Sequence, residues 1–461
     1  MKNYFFRLHV LFCIALLFSS WLLEAKAPKY VFLFIGDGLS FPQRMAAQEF
    51  ARTNGRGELL INRFPVQSAT TTRAANQFIT DSAASGTAIA CGEKTVVGRI
   101  GMDVTGKRNL ESIAAVAQKN GRKTAIITSV TLNHATPSAF YGHRLNRGMY
   151  YELGEDLIAS GFDYFGGGGI ARPTGNDKSR PNIYQLAQKA GYTVCLTPDE
   201  VRTFKPGSGK VIAVGSDGAL PYALDKKDGD LKLADFVRQG IAHCDNPKGF
   251  FMMCEGGAID WLCHANDAVG TFHEVLEFDD AVKVAWDFYR KHPEDTLIVV
   301  TGDHETGGLT LGFAGTKYKS FFEVLAGQKA TVFGLGRMLP EKMVWEEAKK
   351  FVTANSGLLF NAGKADKKNP ALLSAKEAKE LEKAFAKQFP KGKLNKKSNV
   401  FAQTIVRLVN NKAGLAWSTG AHTALPVNTT AAGKNAEIFN GMIDNTDIAI
   451  KLKKMVAPVN R

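Results

Sequence analysis

The chain has few cysteines and lacks long apolar runs beyond its first residues. Its 461 residues include six cysteines, and Cys13 lies in the N-terminal apolar run. The others are an odd number, so one chain cannot pair them all. They are Cys91, Cys195, Cys244, Cys254 and Cys263. After Leu23 no stretch approaches the roughly 20 apolar residues of a spanning helix, which excludes a protein with several membrane spans.

Acidic residues are also scarce relative to basic ones. Asp and Glu number 44 against 58 Lys and Arg, which gives a net charge of +14. Much of the excess lies in a lysine-rich stretch from about 364 to 397. No nucleic-acid module is recognisable, and aromatic residues do not alternate with these lysines. We therefore expect a solvated helical face and no specific binding of nucleic acid.

The N-terminal segment 1–27 has the pattern of a signal peptide. Lys2 and Arg7 flank the mostly apolar run Leu8–Leu23, and Ala25-Lys26-Ala27 offers a cleavage site. We predict export to the periplasm or the medium, with no stable membrane anchor after cleavage. Residues 28–461 are predicted to form the α/β domain.

Short apolar runs alternate with helix-like stretches in that domain. The runs are Tyr30–Ile35, Thr124–Thr128, Phe250–Cys254 and Thr296–Thr301, and the helix-like stretches include Leu110–Lys119 and Phe272–Tyr289. This alternation predicts an α/β fold with a doubly wound, mostly parallel sheet and helices on both faces.

Two segments stand outside this alternation. The region from about 318 to 413 is predicted to be a lysine-rich helical insertion. Within it, Ser374 and Glu377 have the spacing of a capping box, which predicts a helix over Ser374–Gln388. The glycine run Gly166–Gly169 lacks the ending of a phosphate-binding P-loop, and we predict a tight turn there.

The run Thr80–Ala88 places Ser82 beside Asp81 at the start of a stretch of small, helix-forming residues. A helix N-terminus presents unpaired N–H groups and the positive end of a dipole, so it favours anions. A serine at that position is well placed to attack an anionic phosphoryl group. Small residues at a helix start also commonly serve close packing, so the run alone does not decide between the two interpretations.

Acidic side chains and histidines follow the predicted strands. Because open α/β sheets bind ligands beyond the carboxyl ends of their strands, these residues are expected to converge on one pocket. In strand order they are Asp37, then His134 and Thr136, then Glu255, and finally Asp303 and His304.

A further pair of candidate ligands has helical spacing. Asp260 and His264 lie four positions apart, so a helix would place both on one face, and their donor atoms suit zinc. Glu255 suits a harder ion such as magnesium. His422 could complete a tetrahedral zinc site, and the Arg147 guanidinium could bind two oxygens of a phosphate. Cys254 and Cys263 bracket the candidate ligands Glu255 and Asp260, and we interpret both cysteines as small buried residues.

Taken together, these motifs resemble the alkaline phosphatases, a family of metal-dependent phosphomonoesterases. The resemblance runs from about Tyr30 to Ile448, and the lysine-rich insertion interrupts it. The matching motifs, in family order, are Ile35–Gly38, Thr80–Ala88, His134–Pro137, Glu255–Asp267 and Asp303–Gly308. The resemblance implies hydrolysis of small phosphate monoesters at alkaline pH, through a phosphoserine on Ser82, with two zinc ions and one magnesium ion.

The resemblance also implies a role for each matching residue. Ser82 would be the nucleophile, Arg147 would bind the phosphate and Asp81 would orient Arg147. The first zinc ion would be held by Asp260, His264 and His422, the second by Asp37, Asp303, His304 and the Ser82 hydroxyl, and the magnesium ion by Asp37, Thr136 and Glu255. Family members are commonly dimeric, which suggests a homodimer, although the sequence indicates no interface.

Two positions depart from the pattern of the enteric bacterial enzymes. His134 stands where that pattern has aspartate, which leaves the third metal open. Trp261 stands where it has lysine, so a cation near the phosphate is lost and we expect weaker binding of product phosphate. Both side chains are predicted to lie beside the substrate and orient it.

Two alternatives remain at this point. One is another hydrolase of the same superfamily, such as a phosphodiesterase, phosphonate hydrolase or sulfatase. Ser82 is followed by two alanines, unlike the sulfatase pattern, and several diesterases carry threonine at the position of Ser82. The other alternative is a non-catalytic, metal-stabilised exported binding protein. A binding role requires no nucleophile, so Ser82 and Arg147 argue against it.

Overall fold

The computed structural model describes residues 27–207, 209–360 and 368–457. All of the predicted signal peptide except Ala27 lies outside these residues, as does Cys13. Part of the lysine-rich stretch also lies outside them. Within the three described ranges, no helix combines the length and apolar character needed to cross a membrane.

The strands form one large sheet and two small pairs. In chain order they are β1 (Tyr30–Gly36), β2 (Val66–Thr71), β3 (Lys123–Thr128), β4 (Tyr164–Gly167), β5 (Tyr192–Cys195), β6 (Lys210–Val214), β7 (Phe250–Gly256), β8 (Thr296–Gly302), β9 (Glu305–Thr306), β10 (Leu309–Thr310), β11 (Ala416–Trp417), β12 (His422–Thr423), β13 (Val427–Gly433) and β14 (Gly441–Asp444).

The helices surround the large sheet. They are α1 (Phe41–Thr53), α2 (Ser82–Cys91), α3 (Ile113–Lys119), α4 (Ala135–Ser138), α5 (Tyr150–Ser160), α6 (Ile183–Lys189), α7 (Pro198–Thr203), α8 (Leu233–Cys244), α9 (Ala258–His264), α10 (Ala268–Tyr289), α11 (Val332–Met338), α12 (Trp345–Ser356), α13 (Ala375–Gln388), α14 (Val400–Ala413) and α15 (Asn445–Val456). Short 3-10 helices cover Leu60–Asn62, Ala223–Asp225, Phe322–Gly327, Pro390–Gly392 and Ala436–Phe439.

The large sheet has 10 strands in the order β14-β2-β13-β8-β1-β7-β3-β4-β6-β5. Its pairings are parallel except those of β13, which runs antiparallel to both β2 and β8. The central strands alternate between two cores. Phe32 and Phe34 of β1 pack into one hydrophobic cluster, and Val31 and Leu33 pack into the other. Apolar residues therefore cover both faces, and the predicted mostly parallel α/β fold is confirmed.

The four predicted strands and all three predicted helices are present, with ends shifted by a few residues. The glycine run is different, because Gly166 and Gly167 belong to β4 and do not form a turn. Gly167 has φ +135°, and a Cβ there would lie 1.8 Å from the carbonyl oxygen of Thr128. The prediction of a turn is wrong at these two positions, since the glycines let the end of β4 approach β3.

The region predicted as an insertion contains α11 to α14. Ser374 caps α13, and its hydroxyl and the Glu377 carboxylate form the predicted capping box. The helix buries Leu381 and Ala384 and leaves its lysines exposed, as expected of a solvated face. Leu381 belongs to the same hydrophobic cluster as Phe32. The region thus shares one core with the sheet, and its status as an insertion stays a prediction.

The cysteines of the described ranges are Cys91, Cys195, Cys244, Cys254 and Cys263, and each is buried and free. Burial raises the pKa of the Cys254 and Cys263 thiols well above the usual range. Neutral thiols are poor metal ligands. The interpretation of both as small buried residues is therefore favoured.

A buried acid on α10 makes the stability of the fold depend on pH. Burial and the neighbouring Glu277 raise the pKa of Glu274 from 4.5 to about 8. Its Oε1 accepts the backbone N–H of Ala223 at 2.7 Å. Between those two pH values the folded state binds more protons than the unfolded state, so the free energy of unfolding falls as the pH rises.

Glu274→Gln is expected to remove this fall, because the amide keeps an oxygen for Ala223 and carries no charge. At pH 9 the variant should be more stable than the wild type by a few kcal/mol, because each unit by which folding raises a pKa corresponds to about 1.4 kcal/mol. Denaturant unfolding at pH 5 and pH 9 measures this. Glu382→Gln on the exposed face of α13 is the control, and an unchanged pH dependence in Glu274→Gln would contradict the prediction.

Candidate active site and metal centre

The candidate site lies where several strands end at the same level. β7 and β8 both pair in register with β1, and Gly36 lies opposite Gly302. Asp37 and Asp303 directly follow these two glycines, and Glu255 is the penultimate residue of β7. The shared register therefore brings three carboxylates, distant in sequence, to one edge of the sheet.

Helix α2 delivers Ser82 to this edge. Asp81 is its N-cap, and Oδ1 of that residue accepts the backbone N–H of Ala84 at 3.0 Å. Further along the helix, a Cβ on Gly86 would lie 3.3 Å from the Cα of Thr136, so the small residues allow close approach to α4. The run thus serves close packing and also presents a serine at a helix N-terminus.

Ser82 belongs to a set of four side chains that we call the inner cluster: Asp37, Ser82, Asp303 and His304. His304 Nε2 lies 3.2 Å from the Ser82 Oγ. The same nitrogen lies 3.3 Å from Asp37 Oδ1 and 3.2 Å from Asp303 Oδ2. Ligand atoms around a tetrahedral zinc ion lie about 3.3 Å apart, because each is about 2.0 Å from the metal. The inner cluster therefore has the spacing of a zinc ligand shell.

A second set, the outer cluster, consists of Asp260, His264 and His422. His264 Nε2 lies 3.3 Å from Asp260 Oδ2 and 3.1 Å from His422 Nε2. His422 Nε2 lies 3.6 Å from Asp260 Oδ1. Asp260 and His264 share one face of α9, as their spacing predicted. The His264 side chain is 37% exposed, so this cluster faces the mouth of the site.

Backbone contacts orient both histidines of the outer cluster. His264 Nδ1 donates to the Gly420 carbonyl at 2.7 Å, and His422 Nδ1 donates to the Thr80 carbonyl at 2.9 Å. A carbonyl oxygen only accepts, so each Nδ1 carries the hydrogen and each Nε2 lone pair faces the cluster. Such partners are typical of metal-ligating histidines.

The third cluster consists of Asp37, His134, Thr136 and Glu255. Single ligand atoms of Asp37, His134 and Glu255 lie within 4.8 Å of one another. Thr136 Oγ1 donates to Asp37 Oδ2 at 3.4 Å. Asp37 thus belongs to two clusters, one through each carboxylate oxygen. His134 joins as a candidate ligand, beyond the orienting role predicted from the sequence.

The electrostatics of these clusters call for cations. Burial and the neighbouring carboxylates raise the pKa of Asp37 and of Asp303 well above the usual range. Burial also raises the pKa of Glu255 to about 7. Among the described residues, Asp37 Oδ1, Glu255 Oε1, Asp303 Oδ2 and His134 Nδ1 are buried without a hydrogen-bond partner. Buried polar atoms are normally satisfied, so these atoms fit metal ions.

Arg147 lies beside the inner cluster. Its Nη1 donates to Asp81 Oδ2 at 3.0 Å, and its backbone N–H donates to the Gly98 carbonyl at 2.7 Å. Asp81 Oδ1 also accepts the Gly98 N–H at 3.1 Å. One carboxylate therefore holds the helix start, a neighbouring loop and the guanidinium. Arg147 Nη2 lies 3.4 Å from His134 Nε2, and the His134 ring contacts Trp261 edge to face.

Comparison with known proteins agrees with this geometry. The profile of the alkaline phosphatase family matches residues 28–457. The chain belongs to the alkaline phosphatase family. Alkaline phosphatase 4 of Bacillus subtilis strain 168 is 31% identical over 386 residues, which cover 80% of this chain and 75% of that protein. Alkaline phosphatase 3 of the same strain is 30% identical over 433 residues, or 91% of this chain and 87% of that protein.

Solved structures of alkaline phosphatases share the fold. The cold-active alkaline phosphatase from a psychrophilic Shewanella species is 26% identical, covers 93% of this chain and 100% of its own, and has a TM-score of 0.80. The Thermus thermophilus alkaline phosphatase is 25% identical, covers 94% and 92%, and has a TM-score of 0.77. The chain is thus a phosphomonoesterase of a metal-dependent family, and the predicted family and enzyme class are confirmed.

The structure of this alkaline phosphatase brings together every site residue predicted from the sequence. It also adds residues that the sequence did not indicate. Thr128 donates its hydroxyl to Glu255, and Gln43 donates to Glu305 at 2.6 Å. The Glu305 carboxylate in turn accepts a hydrogen bond from the Thr423 hydroxyl, which anchors β12, the strand that contains His422. Only long-range pairing reveals these contacts, so no local spacing could have identified them.

The family resemblance implies that Arg147 binds phosphate, so Arg147→Ala is expected to raise KM for p-nitrophenyl phosphate and the inhibition constant of phosphate by roughly 10-fold to 100-fold. The reason is that a charge-assisted pair to phosphate contributes about 1.5–3 kcal/mol. Arg144→Ala is the control, since Arg144 pairs with Asp156 at 2.5 Å, away from the clusters. Steady-state kinetics measure both constants, and an unchanged phosphate inhibition in Arg147→Ala would contradict the assignment.

Proposed function

We propose that this enzyme hydrolyses small phosphate monoesters at alkaline pH through a phosphoserine on Ser82. The observation that carries the proposal is the position of Ser82 Oγ. It lies at a helix N-terminus, buried, and 3.2 Å from His304 Nε2 in the inner cluster. A nucleophile placed there meets the favourable end of the helix dipole and the guanidinium of Arg147.

The three clusters would hold two zinc ions and one magnesium ion. Asp260, His264 and His422 would bind the first zinc ion, and the inner cluster would bind the second. Asp37, Thr136 and Glu255 would bind magnesium, and the imidazole of His134 makes zinc a competitor there, since imidazole nitrogen suits zinc better than magnesium. When bound, the metal ions supply Lewis acidity, which lowers the pKa of the serine hydroxyl and of water.

The reaction then proceeds through two successive nucleophilic displacements at phosphorus. In the first, Ser82 Oγ loses its proton to solvent and attacks phosphorus, the serine O–P bond forms, and the bond to the alcohol oxygen breaks. The released alkoxide takes a proton from water. In the second, a water molecule loses a proton to solvent and attacks the phosphoserine, the serine O–P bond breaks, Ser82 Oγ takes up a proton and inorganic phosphate leaves. Arg147, held by Asp81, binds the equatorial oxygens throughout, and activity rises with pH because both nucleophiles must lose a proton.

Trp261 sets how tightly product phosphate is held. It follows Asp260 on α9 and its ring contacts His134, with ring centroids 5.9 Å apart. Trp261→Lys would bring a cation toward the phosphate, so we expect the inhibition constant of phosphate to fall about 10-fold and kcat to fall with slower release. Trp261→Phe is the control. Phosphate inhibition that is unchanged in Trp261→Lys would refute this role.

We also propose export, because segment 1–27 has the pattern of a signal peptide, and a homodimer, because members of the family are commonly dimeric. The mature N-terminus of protein recovered from the periplasm or the medium would test export. Sedimentation of the purified enzyme would test the homodimer, and a monomer at all concentrations would contradict it.

The reaction is tested by comparing p-nitrophenyl phosphate with its bis-ester on zinc- and magnesium-loaded enzyme from pH 6 to pH 10. Faster monoester turnover that rises with pH is expected. A preference for the bis-ester would identify a phosphodiesterase of the same superfamily. No turnover of either ester, with metal shown to be bound, would leave the non-catalytic binding protein.

A further inference from the structure

Thr306 touches both proposed zinc clusters through one hydroxyl. The residue lies on β9 and is fully buried. Its Oγ1 lies 2.6 Å from Asp260 Oδ1, in the outer cluster. The same oxygen lies 3.2 Å from Nδ1 of His304, in the inner cluster. A single small side chain therefore spans the two metal-binding groups.

The chemistry of the three groups fixes the direction of both hydrogen bonds. An ionised carboxylate only accepts, so Thr306 donates its one hydrogen to Asp260. The hydroxyl then has only lone pairs left for His304, and Nδ1 of that ring must be the donor. Nε2 of His304 is consequently free of hydrogen, and it is this atom that lies 3.2 Å from Ser82 Oγ.

The surroundings hold Thr306 in this position. Its carbonyl accepts the side-chain amide of Gln43 at 3.0 Å, and in the small sheet it lies opposite His422. Gly38 has φ +74°, and a Cβ there would lie 3.0 Å from Thr306 Oγ1 and 2.9 Å from the Cα of Asp260. The glycine leaves space in which the hydroxyl and the carboxylate meet.

We propose that Thr306 is a positioning residue that couples the two zinc sites. It aims Asp260 at the outer site and fixes the His304 tautomer that serves the inner site. The inference rests on the proposed function, because it requires both clusters to bind zinc. Loss of the hydroxyl is expected to weaken zinc binding at both sites, since partners of metal ligands typically contribute 10-fold to 100-fold in affinity.

The test compares Thr306→Val, which has nearly the same shape without the hydroxyl, with Thr306→Ser, which keeps it. Thr306→Ala is a second hydroxyl-free variant of smaller volume. The control is Thr70→Val, because Thr70 is fully buried and its hydroxyl bonds Thr429 at 2.6 Å in the sheet. Zinc dissociation constants are measured by competition with a chromogenic chelator, beside zinc stoichiometry and thermal unfolding.

We expect zinc dissociation constants raised roughly 10-fold or more at both sites in the hydroxyl-free variants and within about 3-fold of wild type in Thr306→Ser and Thr70→Val. Wild-type affinity in Thr306→Val or Thr306→Ala would overturn the inference. So would a Thr306→Ser variant as weak as the hydroxyl-free ones, since the methyl group and its packing would then be responsible. A wild-type enzyme that binds no zinc would instead refute the proposed metal sites.

Discussion

Ser82→Ala is expected to lower kcat/KM for p-nitrophenyl phosphate by about 10³-fold or more, which is the scale of losing a nucleophile. The substitution removes one buried oxygen, and the outer cluster does not include it. Zinc binding by Asp260, His264 and His422 should therefore persist. Residual turnover would come from water, assisted by Arg147 and the helix N-terminus.

Acid quenching of enzyme exposed to ³²P-labelled phosphate makes the test direct. The wild type should retain label on the peptide that contains Ser82, and Ser82→Ala should retain none. Ser68→Ala is the matched control, because Ser68 is also buried and its hydroxyl donates to the Thr429 carbonyl within the sheet. Full turnover by Ser82→Ala with its zinc content intact would exclude the serine as nucleophile.

Local sequence patterns predict the fold correctly where each pattern is compatible with only one kind of structure. Buried parallel strands have continuous apolar runs, so the runs Tyr30–Ile35 and Thr296–Thr301 predict strands, and each strand extends one residue further in the structure. The capping box at Ser374 fixed the start of α13. The prediction of a turn at Gly166 and Gly167 is wrong, because a close approach between strands and a tight turn both favour glycine.

The residues of the candidate site also differ in whether local sequence spacing can predict that they lie together. Asp260 and His264 lie on one helical turn, so their spacing alone placed them together. His422 is far from His304 in the chain, and tertiary contacts bring them together: β12 pairs antiparallel with β9, and the Thr423 hydroxyl donates to Glu305. Sequence spacing could not predict the contacts of the Thr306 hydroxyl, for a related reason. Its partners come from β9's own loop and from α9, and which way a buried hydroxyl points depends on tertiary packing.

Removal of the metal ions is expected to abolish turnover and to lower the midpoint of thermal unfolding by several degrees. Asp37, Glu255, Asp260 and Asp303 are all buried at one edge of the sheet. Without cations these carboxylates repel one another or must take up protons, and either outcome favours the unfolded chain. An ion present at about 1,000 times its dissociation constant stabilises the folded state by about 4 kcal/mol.

The measurement follows activity, metal content and thermal unfolding through dialysis against a chelator and stepwise return of zinc and magnesium. Zinc should restore most of the turnover, and magnesium should add to it through the third cluster. Asp303→Asn is the matched control, because it removes the charge of one ligand of the inner cluster. In this variant, chelation should lower activity and the unfolding midpoint less, and returned metal should restore less of both. Full activity and an unchanged unfolding midpoint in a preparation shown to lack metal would mean that the orphaned buried oxygens serve another purpose.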